Sequence, residues 1–419
     1  MTSHEDMSED ELWERSRSDD LSDRADSLME LGERRVKEED WTLAKNLYGS
    51  ALDLYNTQDR NSDAGTALYS LGYCHYALKE FEDAVESLGK SLALGREIND
   101  SRVIAFAAGP LGDSYRALSR NDEAIETYRL AIDTFVEIEE NVSAAMNSMS
   151  LGEIFGQQAK QTNALECFIR AYNIYQTAGE AFGAALAKDR MAAALIELGD
   201  YDQAISHITD SLRTFEFLEK DERITHMNYR LGWTLVLAGQ YFRAIRPLRL
   251  AVSMFKVGGD WSRAAMAEFH LANALHYSEP EDSVEEVTQI LARIRSYFEQ
   301  AGELGNVWMV DSVHAEKLMN SGMFIAAAEI FRDIIERAIK LDDDYTVRTA
   351  RASLAEALFL AGETTEARQV LGLIDSAEWG ENNVELQKLE RVTALMLETL
   401  ANTLDIDFPD AKTSRNRRA

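Results

Sequence analysis

Apolar residues fall three and four apart through most of the chain, the spacing that lines one face of an α-helix. Ala64, Ala67, Leu68, Leu71 and Leu78 form one such run, and Phe81, Ala84, Val85, Leu88 and Leu92 form the next. Lys79-Glu80 separates them, so the pattern predicts two helices joined by a tight turn. This unit recurs. Leu31-Gly32, Leu71-Gly72, Leu111-Gly112, Leu151-Gly152, Met191-Ala192, Leu231-Gly232 and Leu271-Ala272 follow one another at a single fixed spacing. Thirteen positions after the first member of each pair comes Ala44, Ala84, Ala124, Ala164, Ala204 or Ala244, until Val284 breaks the run. A fixed period of about 40 residues marks a solenoid, whose units bury their apolar faces against their neighbours.

Glycine plays two roles in the unit. Gly199, Gly239, Gly322 and Gly362 fall between paired helices, where a left-handed cap would strain a side chain. Gly72, Gly112, Gly152 and Gly232 fall inside helices, where each is ~1 kcal/mol worse than alanine. Their recurrence predicts a partner helix that approaches closely, with the Ala84 series as the complementary small positions.

The register slips by three positions after the seventh unit, then resumes with His314-Ala315 and Leu354-Ala355. The chain is thus expected to hold an acidic, disordered segment over 1–20 and about nine repeats over 21–378, the seventh (261–303) irregular. A capping helix over 381–404 and a basic, flexible tail over 405–419 complete it.

Composition narrows the function. The net charge is −30 over 419 residues, which repels nucleic-acid backbones and argues against direct nucleic-acid binding. Cys74 and Cys167 lie more than two repeats apart and suggest a reducing compartment without a disulfide framework. The first residues have no apolar run of a signal peptide, and no stretch approaches a membrane span. A cytoplasmic location is expected.

In order along the unit, the Leu-Gly pair, the residue three later (His75, Tyr115, Phe155, Leu195), the turn glycine, the Ala84 position and the residue four beyond it (Tyr48, Leu88, Tyr128, Phe168) resemble the tetratricopeptide repeat. The period is longer than is usual in that family, as in kinesin-light-chain-type and bacterial regulatory members. The resemblance implies an all-α, right-handed α-solenoid whose first helices line a concave groove. The side chains it would direct there include Tyr69, Tyr73, Phe106, Met146, His226, Tyr229, Trp233, Phe269 and Asn273, many of them aromatic. Such a groove suits a peptide anchored by ring area. The alternative is that neighbouring repeats bury these rings against one another. Arg190, Arg230 and His270 occupy one position in three consecutive units and could clamp a carboxylate, or pair internally with Asp189, Glu197 or Glu268. Members that grip acidic peptide tails carry lysine and asparagine on the flanks; here Asp189 and Ala193 stand there. On a second helix, Arg243, Arg246 and Arg249 step by three and make a convex basic patch.

No catalytic, nucleotide-binding or metal-ligand spacing is found, so the sequence reads as a non-enzyme without cofactor or metal. The function expected is a scaffold or adaptor that binds a protein or peptide partner. A peptide-responsive regulatory sensor and a structural subunit, with homo-oligomerisation, are the alternatives.

Overall fold

A single residue in the left-handed region of backbone space recurs at every twentieth position from Glu39 to Gly259, and again at Gly302, Gly322, Asp342 and Gly362. The computed structural model describes residues 7–278 and 284–373, and the elements among them are all helices. At each left-handed residue one helix stops and the next begins. In the second repeat the Lys79 N–H donates to the Tyr76 carbonyl and the Glu80 N–H to that of His75, both at 2.9 Å. These bonds satisfy carbonyls that the ended helix leaves open. Glycine takes the left-handed place at 199, 239, 322 and 362, as the sequence predicts. Glu39, Asp59, Lys79, Asn99, Ser119, Glu139 and Ala159 adopt it too. A side chain makes that conformation unfavourable by roughly 1–2 kcal/mol. Packing on both sides of the turn overrides the local preference.

The helices follow one another as a short leader, α1 (Glu9–Arg15), and nine pairs. The first five are α2 (Leu21–Lys37) with α3 (Trp41–Thr57), α4 (Asn61–Ala77) with α5 (Phe81–Ile98), α6 (Ser101–Ala117) with α7 (Asn121–Glu137), α8 (Asn141–Gln157) with α9 (Gln161–Ala178), and α10 (Ala181–Glu197) with α11 (Tyr201–Phe217). The remainder are α12 (Asp221–Leu237) and α13 (Tyr241–Val257), α14 (Trp261–Ser278) and α15 (Val284–Ala301), α16 (Leu304–Asn320) and α17 (Phe324–Lys340), and α18 (Asp344–Leu360) and α19 (Thr364–Leu371). Nine repeats are therefore present among the described residues, as the register predicts. No helix among the described residues is long and apolar enough to cross a membrane.

The chain divides into two compact units, Met1–Thr234 and Leu235–Ala419. The sequence predicts one continuous array and does not foresee this division, which falls inside the sixth repeat's first helix. Residues 279–283 of the seventh repeat lie outside the described residues, as do 381–404, expected as a capping helix, and 405–419, expected as a tail.

The intrahelical glycines explain the tightness of each pair. A Cβ on Gly152 would lie 2.5 Å from Cε1 of Phe168, and one on Gly72 would lie 2.5 Å from Cγ of Leu88. Tyr48 and Tyr128 cover Gly32 and Gly112 in the same way. The large residue four beyond each small alanine thus fills the glycine hole, while Ala44, Ala84, Ala124 and Ala164 are fully buried.

One expectation is overturned at the start of the chain. Residues 9–15, read as disordered, form α1. Its N-terminal cap is reciprocal, each partner donating to the other. The Glu11 N–H donates to Ser8 Oγ at 3.3 Å. The Ser8 N–H donates to Glu11 Oε2 at 2.7 Å. Leu12 is fully buried in a cluster with Met7, Leu28 and Leu31, and Arg35 pairs with Glu9 at 2.8 Å. A polar segment hid a single anchoring leucine.

Candidate interaction face

The positions that the repeat register assigns to the first-helix face carry a run of alternating charge across four successive first helices, all within Met1–Thr234. It starts at Asp113 on α6, which accepts a short hydrogen bond from the Tyr128 hydroxyl and lies 3.5 Å from Arg116. Arg116 Nη1 reaches Glu153 Oε2 on α8 at 3.1 Å, and Glu153 Oε1 in turn meets Arg190 Nε on α10 at 3.3 Å. Arg190 is 4.0 Å from Asp189, and Arg230 on α12 closes the run by donating to the Asp189 carboxylate and carbonyl. Three arginines face three carboxylates, so the run is neutral as a whole. Burial raises the Asp113 carboxyl above its ordinary range, against the bond from Tyr128 and the charge of Arg116.

The run is not uniformly covered. Asp189 is buried, whereas the Arg190 and Glu153 side chains are 40% and 36% exposed. Arg190 and Arg230, which the sequence places in one line, are therefore joined through Asp189. Their line-mate His270 lies in the second unit, where burial lowers its imidazole to about 4.

The predicted aromatics largely pack on each other. Trp41 meets Tyr73 edge-on at 5.9 Å, Tyr73 is 6.4 Å from Tyr69, Tyr69 is 5.9 Å from Phe106, and Phe106 meets Phe135 at 5.3 Å. Burial pushes the Tyr69 hydroxyl up to about 12. Trp233 packs against the buried cluster of Leu195 and Phe215, and Tyr229 and His226 are half-buried. In the second unit Phe269 is buried edge-on to His270 at 5.4 Å, and Asn273 is half-buried. Of the residues the sequence assigned to a groove, Tyr73 (38%) and Met146 (58%) stay open. On the second helix of the sixth repeat, Arg243, Arg246 and Arg249 are all exposed.

Comparison with known proteins fits this geometry. Residues 29–97 match the tetratricopeptide repeat family, and residues 105–212 match the soluble NSF attachment protein (SNAP) family. Each match covers less than half of the chain, and the fold of paired helices is tetratricopeptide-like. Among solved structures, this tetratricopeptide-like chain resembles the apo form of the quorum sensor NprR from B. thuringiensis at 14% identity and a TM-score of 0.51, over 78% of this chain and 91% of that one. It also resembles aspartyl phosphate phosphatase F from Bacillus subtilis at 14% identity and a TM-score of 0.50, over 90% of this chain and 95% of that one. These likenesses are of fold. No curated protein matches the chain in sequence.

Within the tetratricopeptide-like units, one repeat position carries charges that the sequence reading does not group together. Four residues before the small intrahelical residue stand Lys188, Glu268 and Asp311, and each lines a cleft between two second helices. The clefts measure about 330 Å³ beside α10, 450 Å³ beside α14 and 550 Å³ beside α16. Each charge is answered: Lys188 by Asp210 (2.8 Å), Glu268 by Lys256 (2.6 Å) and Arg293 (2.7 Å), and Asp311 by Arg295 (2.6 Å). A charge at a helix position that elsewhere holds Leu68 or Ala108 was the available signal. Among the described residues, His75, Glu80 and Asp83 come close enough to share a cation, their ligand atoms within 4.8 Å of one another. Lys45 Nζ already lies 2.8 Å from Glu80, which also meets His75 at 2.6 Å, so the carboxylate is balanced within the fold.

Proposed function

We propose that the first-helix face of the first unit binds a peptide or protein segment of another molecule, and that the protein is a non-catalytic adaptor. The observation that carries this reading is the half-open Arg190–Glu153 pair at the centre of the charged run. A pair so exposed stabilises the fold by only ~0–1 kcal/mol, so an incoming segment can replace either partner at little cost. Beneath it the buried Asp189–Arg230 contact fixes where Arg190 stands. Met146, seven residues before Glu153 on α8, shares that helix face and offers a flexible apolar anchor. Tyr73 offers a ring held rigid by Trp41. A segment with one acidic, one basic and one apolar side chain fits this combination. The net charge of −30 disfavours nucleic acid as the occupant.

The test compares wild type with Met146→Ala/Arg190→Ala as bait in a quantitative affinity capture from the native host. The reading expects the variant to lose a defined set of partners with its helical circular dichroism unchanged. Retention of every partner would sink it.

A further inference from the structure

We propose that the outward face of α13 is a second docking surface, which takes an acidic amphipathic segment of another protein. It lies in the second unit and stands independently of the face proposed above.

α13 is a basic and apolar stripe on an acidic chain. Phe242 (72%), Leu250 (44%) and Val257 (88%) are exposed large apolar residues on the same helix as exposed Arg243, Arg246 and Arg249. Positions 242, 246, 249/250, 253 and 257 recur three and four apart, so they share one side of the helix. From Phe242 to Val257 that side is about 22 Å long, the length of four helical turns. Arg249 pairs with Glu286 at 2.9 Å, and Arg243 hydrogen-bonds the Gln240 side chain. Among the described residues, no acidic side chain pairs with Arg243 or Arg246. In a protein with 73 acidic and 43 basic residues, two such arginines beside an open ring and two open aliphatics have no carboxylate partner among the described residues.

The stripe also opens into a built cavity. The 450 Å³ cleft between α13, α14 and α15 is lined by Arg249, Ser253, Lys256 and Arg293, with Glu268 and Glu286. Arg249 and Ser253 belong to both features. Three cations against two carboxylates leave the cleft net positive, suited to a carboxylate side chain from a segment lying along Phe242, Leu250 and Val257. The chemistry favours a narrow segment over a membrane. Screening confines an exposed charge's reach to ~8 Å, so a thin peptide meets the stripe alone, while a broad anionic surface also meets more of a chain whose net charge is −30. The chain's own acidic leader is already engaged, since Glu9 and Leu12 of α1 pack on α2.

The probe is a fluorescein-labelled 16-residue peptide with glutamate on one helical face and leucine on the other, titrated into the full chain by anisotropy. A lysine-for-glutamate peptide and phosphatidylserine vesicles are run alongside. The proposal expects salt-sensitive binding of the glutamate peptide, weakened at least tenfold by Arg243→Glu/Arg246→Glu and also by Phe242→Ser/Leu250→Ser. Arg170→Glu/Arg213→Glu, with the same change in net charge in the other unit, should leave binding within twofold. Equal loss in that control, undiminished binding to the stripe variants, or arginine-dependent binding of vesicles but not peptide would overturn it.

Discussion

Arg230 on α12 reaches back to α10 and donates to both the carboxylate and the carbonyl of Asp189, the carbonyl at 3.1 Å, while Asp189 itself is only 3% exposed. A buried carboxylate deprived of its partner is expensive, at ~3–5 kcal/mol, whereas an apolar replacement of both partners is often neutral. Arg230→Ala should therefore destabilise the first unit by several kcal/mol, and Asp189→Leu/Arg230→Leu by much less. A double-mutant cycle in urea measures the difference; additive losses would show that the contact is not coupled.

The glycine holes make a sharper packing prediction. Gly152→Ala places a methyl 2.5 Å from the Phe168 ring. Overpacking of that kind should lose ~1–3 kcal/mol. Gly49 sits on a helix surface with nothing within 4 Å of an added Cβ. Gly49→Ala should gain ~0.5–1 kcal/mol. Thermal melts of the two variants should move in opposite directions, and Gly152→Ala/Phe168→Leu should recover part of the loss.

Acid should weaken the second unit through its histidines. Burial holds His270 at about 4, and His276 and His314 shift downward for the same first cause. An unfolded imidazole titrates at ~6.5, so between ~6.5 and about 4 the unfolded chain binds a proton that the folded chain refuses. The stabilisation is thus complete above ~6.5 and declines as pH falls toward about 4. Urea midpoints at pH 7.5 and 5.0 should show the decline, and His270→Gln should flatten it. An identical slope in the variant would contradict the assignment.

Much of this fold is written in the chain. The repeating Leu-Gly ladder predicts nine helix pairs, and Gly199 and Gly239 mark their turns. Lys79 and Ala159 do not, because their left-handed backbone is imposed by packing against a residue's own preference. α1 was hidden because one buried leucine within an acidic segment has no periodicity to read. At the candidate face the sequence identifies Arg190 and Arg230 but leaves clamp and internal pairing open. Glu153 and Asp189 come from neighbouring repeats, and only the stacking of first helices shows that they neutralise those arginines. The same stacking turns Tyr69 and Phe106 from expected groove rings into packed ones.

The leader helix gives a separate check on that reading of the N-terminus. Leu12 is completely buried. Truncating a buried leucine to alanine costs roughly 2–5 kcal/mol, and Leu12→Ala should fall at the lower end because α1 packs on one neighbour. A disordered leader would tolerate the change, with no shift in melting temperature and unchanged proteolysis between positions 7 and 20.

The central claim is that partners bind on the first-helix face beside Arg190. Site-specific photocrosslinking tests it most directly, with a photoreactive residue at position 146 on α8 and, in a second protein, at exposed Glu126 on the second helix α7. Both proteins are irradiated in native host extract, and the adducts are identified by mass spectrometry. The account predicts a discrete partner adduct from position 146 that Arg190→Ala diminishes, and none of that partner from position 126. Adducts from 126 alone, or from 146 at a yield indifferent to Arg190, would contradict it.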